Sequence, residues 1–383
     1  MKVLSIFGTR PEAIKMAPVV RALAAEPTLT STICVTAQHR EMLDQVMGVF
    51  GLKPDHDLDL MTENQSLNAL FGRIVTGLDA VFDEVRPDRV LVHGDTTTSA
   101  AAAVAAFHRR IPVAHVEAGL RSRNLAHPWP EEMNRRLVDI ACDLLFAPTS
   151  AAKSNLLNEA VEGRIFVTGN TVIDALRVTT ERLDSDRRLR HRVDAQLPIL
   201  SPKRRTVLVT SHRRENLETG LREICLALRD LAQRPDIEIV FPVHPNPQVR
   251  AIVGEVLPAS PNLHLIEPLE YLPFVRLMQR ADIVLTDSGG VQEEAPWLGK
   301  PVLVMRDVTE RAEAIAHGTA ILVGTRRAAI VEETLRRMAA DASSELTEPV
   351  SPYGDGHAAE RIAAAVVGRA IEEFKAPPCR VAA

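Results

Sequence analysis

Cysteine is scarce in this chain of 383 residues: Cys34, Cys142, Cys225 and Cys379 stand far apart, with no CxxC or Cys/His spacing. That excludes a disulfide framework and gives no support to zinc, so the thiols read as core or incidental side chains. A charge excess of one sign is also missing. The 45 basic residues against 50 acidic ones leave a net charge of −5, which is no electrostatic footprint for nucleic acid or an anionic membrane. Long apolar runs are lacking at the N-terminus, where MKVLSIFGTRPE breaks at once into Arg, Pro and Glu; this is neither a signal peptide nor a membrane span. The expectation is a cytoplasmic protein with neither membrane nor nucleic acid as partner. What is present is a globular composition, 46% apolar and 25% charged. The length exceeds one ordinary core, so two domains of roughly 150–200 residues are expected.

Short β-branched runs alternate with segments of helical period from the first residue. KVLSIF precedes a helix over about 12–25, TICVT a helix near 40–50, and RVLVHGD, PVAHVEAG and DLLFAPT follow with helices between. Alternation of this kind predicts a parallel sheet. After VTGNTVIDAL the strand pattern lapses into DSDRRLRHRVDAQL and LPILSPKRR, and the interdomain connection is placed there. The alternation restarts with TVLVTSHRREN, IEIVFPVHPNP, LHLIEPLEYLPF, ADIVLTDSGG, KPVLVMRD and TAILVGT. The fold class predicted is α/β, two Rossmann-like doubly wound domains at about 1–172 and 173–356, facing a cleft. A last amphipathic helix over about 357–376 is expected to pack back on the first domain.

In open parallel sheets ligands sit beyond the carboxyl ends of the strands, so the informative loops are those that follow strands. In GTRPEAIKMAP, Gly8 permits a tight turn, Pro11 suits a first helical position, and Arg10 and Lys15 place two cations near exposed N–H groups. That suits a phosphate, although it also suits a plain helix start, and it is neither a GxGxxG fingerprint nor a Walker loop. In HGDTTTSAAAA, Asp95 follows a buried strand and reads as an acid or as a helix N-cap. His115 and Glu117 of HVEAGLRS share one face, with Glu117 at the strand's mouth as a site residue or an ion-pair partner. In HPWPEEMNRR, Pro130 opens a helix with Glu131 and Glu132 in its first turn, each four residues before Arg135 and Arg136, which is good structural chemistry in itself. The functional reading rests on convergence. Three successive loops bring a carboxylate to one rim, and gathered like charges give one protonated and one ionised carboxyl at neutral pH.

The second half repeats the placement. TSHRREN sets His212 and two arginines after a strand, suited to an anion, as general acid or leaving-group stabiliser. His244 lies in the proline-bounded FPVHPNP, as site or capping residue. EPLEYLPF offers backbone groups and Phe274 to a flat base, while Tyr271 and Phe274 equally suit a core. LTDSGGVQEEAP ends an apolar run in Asp287, turns through Ser288, Gly289 and Gly290, and presents Glu293 and Glu294.

Taken together, GTRPEAIKMAP, HGDTTTSAAAA, HVEAGLRS, PWPEEMNRR, TSHRREN, LTDSGGVQEEAP and PVLVMRDVTERAEA, in this order, closely resemble the non-hydrolysing UDP-N-acetylglucosamine 2-epimerases, from Lys2 to about Arg361. The resemblance implies a glycosyltransferase B fold and a homodimer. The reaction it implies interconverts UDP-GlcNAc and UDP-ManNAc through bound 2-acetamidoglucal, with no cofactor and no metal. Asp95, Glu117 and Glu131 match the family's catalytic carboxylates and His212 its active-site histidine. Arg10, Lys15 and Arg135 match substrate-contacting positions. Leu269, Phe274, Ser288, Gly289, Gly290, Glu294 and Arg311 match the nucleotide site, with the glycines admitting the diphosphate, Glu294 taking ribose hydroxyls and Glu293 facing solvent or Lys300. Gln38 and His244 match a second, activating UDP-GlcNAc site. Glu41 and Asn64 stand there in place of Gln and Arg, which implies weaker activation. A hydrolysing epimerase and an epimerase of a UDP-diacetamido sugar are the rival readings.

Overall fold

The computed structural model describes residues 1–36, 40–60, 62, 65–211, 219–309, 311–339 and 351–378, without the side chains of 40–42. The chain divides into two compact units, Met1–Val178 with Tyr353–Ala376 and Thr179–Pro352 with Pro377–Ala383. Each is built on one parallel sheet.

The first unit contributes β1 (Lys2–Phe7), β2 (Thr30–Val35), β3 (His56–Asp57), β4 (Arg89–His93), β5 (Val113–Val116), β6 (Leu144–Ala147) and β7 (Arg164–Val167). Its seven strands lie in the order β3-β2-β1-β4-β5-β6-β7. Val90–Val92, Val113, Ala114 and Val116 are all buried, the near-continuous apolar pattern of strands covered on both faces. Helix Thr97–His108 presses close because its buried surface is a run of alanines, and helix Leu67–Val85 adds Leu70, Ile74 and Leu78 to the same core. The chain leaves β1 toward β2 on one side and returns to β4 on the other. The loops after β1 and β4 therefore diverge, making the switch point at which open α/β sheets bind ligands.

The second unit repeats the plan with β8 (Arg205–Thr210), β9 (Ile237–Pro242), β10 (Leu263–Ile266), β11 (Ile283–Thr286), β12 (Val302–Val304) and β13 (Ala320–Leu322), in the order β10-β9-β8-β11-β12-β13. Its core sets Val207, Val209, Ile239, Phe241 and Leu285 against Ile224 and Leu228 of helix Gly220–Leu231. The switch point falls between β8 and β11, so the loops of Ser211 and of Asp287–Gly290 diverge there. Ser211 Oγ donates to Asp287 Oδ2 at 2.9 Å, linking the two loops.

Three sequence expectations change. The last helix spans Ala358–Val366 rather than about 357–376. Gly368 takes φ +80°, and the amides of Gly368 and Arg369 donate back to Ala365 and Ala364. Glycine in this conformation is a helix stop. The chain then runs on irregularly, with Phe374 N–H bonded to the Val167 carbonyl. The arginine-rich stretch expected as a connection includes helix Arg187–Asp194, capped by Asp186, with Leu189 and Val193 buried. Its Asp194 accepts from Arg276 Nε at 2.8 Å, so it is docked on the second unit. Finally, helix Thr171–Ser185 runs unbroken across position 172, its Val172, Ile173, Ala175 and Leu176 buried. Cys34, Cys142 and Cys225 are buried free thiols, and burial pushes Cys34 and Cys225 up to about 12.

Candidate active site

The first loop is built around Glu12. Thr9 caps helix Arg10–Ala24 and Glu12 answers it in a capping box. Buried Glu12 accepts from the amides of Gly8 (3.1 Å) and Thr9 (2.8 Å) and from the hydroxyls of Thr96 (2.8 Å) and Ser99 (3.0 Å). Burial raises its pKa, and these four bonds oppose the rise. One carboxylate thus ties the loop of Arg10 to that of Asp95. Gly8 has a reason other than turn freedom: a Cβ there would lie 2.0 Å from Thr36 Oγ1 and 2.7 Å from Thr98 Oγ1.

Asp95 follows β4 and does not cap a helix. Thr96 is the N-cap of Thr97–His108. The Asp95 carboxylate instead pairs with the Arg135 guanidinium, and its carbonyl accepts from Asn134 Nδ2 at 2.9 Å. Helix Glu131–Ala141 therefore holds the Asp95 loop from two successive positions. Arg135 also reaches Glu132 at 3.1 Å, and Arg136 reaches Glu132 at 3.3 Å. Glu132, fully buried, accepts in addition from the amides of Ser122 (2.8 Å) and Arg123 (3.1 Å). The expected Glu131–Arg135 pair is absent from these contacts because Arg135 turns to Asp95 and Glu132. Glu131 keeps a buried Oε2 with no hydrogen-bond partner among the described residues.

Glu117, just past β5, sits at φ +70°. A non-glycine residue in the left-handed region is strained, and such strain gathers at functional sites. Its Oε2 accepts from Lys15 Nζ at 2.5 Å and from Asn170 Nδ2 at 2.9 Å. His93 Nε2 stands 3.8 Å from the same oxygen. The turn behind it is fixed by His115, fully buried, whose Nε2 donates to the Gly94 carbonyl at 2.8 Å while Nδ1 meets Asp139 at 2.7 Å. His115 is thus an anchor beneath the site. Lys15, Asp95, Glu117 and Arg135 form one rim of interleaved acids and bases, in place of the bare cluster of carboxylates expected.

In the second unit Ser288 is the N-cap of helix Gly289–Trp297, yet its side chain makes no cap hydrogen bond. Gly290 has neither a positive φ nor a crowded Cβ position; the nearest atom there is Glu294 Oε2 at 3.9 Å. Nothing among the described residues requires glycine at 290, and the buried Glu294 carboxylate faces that space. Glu293 faces neither solvent nor Lys300, contrary to expectation. It is 2% exposed and binds Arg311 Nε at 2.5 Å, because a guanidinium arriving from the loop after β12 gives the buried carboxylate a counter-ion. Lys300 is pushed down by burial, with Asp282 opposing. Tyr271 is core, whereas Phe274 and Leu269 are half-buried. His244 is exposed and its Nδ1 accepts from the Asn246 amide at 3.2 Å. His212, Gln38, Asn64 and the Glu41 side chain lie outside the described residues. Among those described, no group of three or more His, Cys, Asp and Glu side chains is disposed to hold a metal ion, and no helix is long and apolar enough to cross a membrane.

Sequence reasoning passed over Glu12, His93 and Asn170. Thr9 to Glu12 carries the capping-box spacing, His93 interrupts the apolar end of RVLVHGD, and Asn170 lies in a further loop after a strand, VTGNTV.

The sequence profile of the UDP-N-acetylglucosamine 2-epimerase family matches residues 21–367. The UDP-N-acetylglucosamine 2-epimerase of Escherichia coli K12 is 53% identical over 94% of this chain and 97% of its own. The crystal structure of the Neisseria meningitidis UDP-GlcNAc 2-epimerase bound to UDP-GlcNAc superposes with a TM-score of 0.89, at 48% identity over 96% of this chain and 100% of that one. The kitacinnamycin glycotransferase, at 15% identity, TM-score 0.58 and coverage of 96% of this chain and 98% of its own, shares the fold alone. With family-level likeness over nearly its whole length, the chain belongs to the UDP-N-acetylglucosamine 2-epimerases.

Proposed function

We propose that the protein interconverts UDP-GlcNAc and UDP-ManNAc by C2 epimerisation, eliminating UDP to 2-acetamidoglucal and adding it back without releasing free sugar. The rim of Lys15, Asp95, Glu117 and Arg135 is the observation that carries this reading. Moving a proton off one face of a carbon and onto the other needs two acid/base groups, and three carboxylates follow two adjacent strands of one sheet, Asp95 after β4 and both Glu117 and Glu131 after β5, rather than three successive strands as expected. Two are held by cations, Glu117 by Lys15 and Asp95 by Arg135, while Glu131 has an oxygen without a partner. In this reading Asp95, Glu117 and Glu131 move protons and His212 assists the diphosphate. Arg10 contacts substrate in the first unit. In the second, Ser288, Gly289 and Gly290 receive the diphosphate, Glu294 accepts from the ribose, Arg311 adds a cation, and Leu269 and Phe274 border the base.

The test is incubation with UDP-GlcNAc in D2O followed by NMR. Deuterium at C2 with UDP-ManNAc appearing and little free sugar supports the reading; accumulating ManNAc and UDP shifts it to hydrolytic epimerisation. A protein that binds UDP-GlcNAc without exchanging C2 is not an epimerase.

A further inference from the structure

His93 is a buried titratable group with no task in the site so far. It ends β4, is 3% exposed, and among the described residues neither ring nitrogen has a hydrogen-bond partner. Leaving both unmet in a buried ring is unfavourable, so a reason is called for. The ring stands beside Glu117, with Nε2 3.8 Å from Oε2. An Nε2–H aimed at a carboxylate would close to about 2.8 Å in a charge-assisted bond. A lone pair aimed at it stands off, as this nitrogen does. The ring is also kept neutral: burial lowers its pKa to about 3, Lys15 and His115 act in the same direction, and Glu117 opposes them. Lys15 and Asn170 both donate to Glu117 and so favour its ionised form. The protonated form needs an acceptor.

We propose that His93 is a positioning residue that receives, through its Nε2 lone pair, a hydrogen bond from the Glu117 hydroxyl whenever Glu117 carries the substrate's proton. The inference rests on the epimerase reading above. In the elimination direction the C2 proton passes to the Glu117 carboxylate, the C–H electron pair becomes the C1=C2 bond, and the C1–O pair departs with the diphosphate. His93 itself exchanges no proton; it steadies the protonated carboxyl between the two half-reactions.

The experiment compares wild type with His93→Phe, which has no acceptor, and His93→Gln, whose amide oxygen falls near the place of Nε2. Rates of UDP-GlcNAc turnover are followed against pH, with C2 exchange in D2O on the wild type. Expected for Phe is a kcat lower by roughly 10- to 100-fold, KM within about threefold, and an acid limb of the kcat profile moved down by about 0.5–1 pH unit, because the protonated carboxyl has lost a partner. Gln is expected to recover the wild-type limb and a kcat within about fivefold. Should Phe fail to fold, His93→Asn, too short to reach Oε2, takes its place. Equal losses in natively melting Gln and Phe variants, or an unmoved limb, overturn the inference and leave the epimerase standing. A wild type without C2 exchange overturns both.

Discussion

Lys15 is the position where the resemblance and the geometry make different predictions. The resemblance makes it a substrate-contacting cation; the structure pairs its ammonium with Glu117 Oε2 at 2.5 Å, with side chains only 15% and 8% exposed. Lys15→Met keeps the aliphatic stem and deletes the charge. An opposite charge this close to a sheltered carboxylate shifts its titration by roughly 1–3 pH units, which at ~1.36 kcal/mol per pH unit is about 1.4–4 kcal/mol. The low exposures argue for the middle of that range, about 2 pH units. The sign follows directly. The ammonium favours ionised Glu117, so its removal favours the protonated form, and the acid limb of kcat/KM moves up. Below the new limb the variant is slower by about tenfold per pH unit, and above it most of the rate returns. The assay is initial UDP-ManNAc formation between about pH 5.5 and 10, with KM recorded throughout. If the limb stays and the loss falls wholly on KM, Lys15 serves the substrate's phosphates and does not set the charge of Glu117. The shift is opposite in sign to that expected of His93→Phe, so the pair also separates donor from acceptor at one carboxylate.

Other perturbations address the second unit and the fold. Gly290→Ala meets only an ordinary contact at 3.9 Å and should leave melting unchanged or raise stability by up to about 1 kcal/mol, while UDP binding by calorimetry weakens at least about tenfold; unchanged affinity would remove the diphosphate from this helix start. Glu293→Ala takes the Nε partner from the half-buried Arg311 and should cost about 2–4 kcal/mol in urea unfolding, whereas a loss under about 0.5 kcal/mol would mean the pair contributes nothing. Asp174, which receives the amides of Ala358 and Ala359, is raised by burial from 3.8 to about 6. A raised carboxylate keeps its proton longer in the folded state, so its ionisation destabilises by about 3 kcal/mol as pH climbs through that window. The melting temperature of Asp174→Asn relative to wild type should therefore rise between about pH 4 and 7, and a difference that stays constant would refute the sign.

The parallel sheets were legible because a strand buried on both faces has to be a short apolar run, and RVLVH, PVAHV and ADIVLT are such runs. The loops after them were legible for the same reason, since polar clusters stand out where apolar runs stop. What could not be read was partner choice. Glu131 and Glu132 are adjacent acids at equal spacing from adjacent arginines, yet only Glu132 turns inward to two amides. Glu293 and Glu294 are likewise adjacent, and it is Glu293 that meets Arg311, eighteen residues further on. Such choices depend on loops brought together by the sheet order, information that no local spacing contains. The short final helix differs: Gly368 was a stop signal present in the sequence and outweighed by the apolar period around it.

Satisfied and unsatisfied groups at the first unit's rim point to different work. Glu12, His115, Asn134 and Glu132 have hydrogen-bond partners in backbone groups or neighbouring side chains, and each ties down a loop at that rim. Among the described residues the unmet buried atoms there include both nitrogens of His93, Oε2 of Glu131 and Nε of Arg135. A buried polar atom without a partner costs about 1–3 kcal/mol, and among the described residues three side chains around Glu117 and Asp95 bear that cost without compensation. A polar ligand that completes those bonds provides it. A purely structural ion-pair network has no use for the unmet atoms, since neighbouring hydroxyls or amides would satisfy them at no loss of stability. Substrate binding should therefore stabilise the first unit more than its contact area alone predicts, and Glu131→Met, close in size but without the polar oxygens, should leave the free protein at least as stable while lowering turnover. A free protein clearly destabilised by that change would mean that Glu131 was satisfied all along and belongs with the positioning residues.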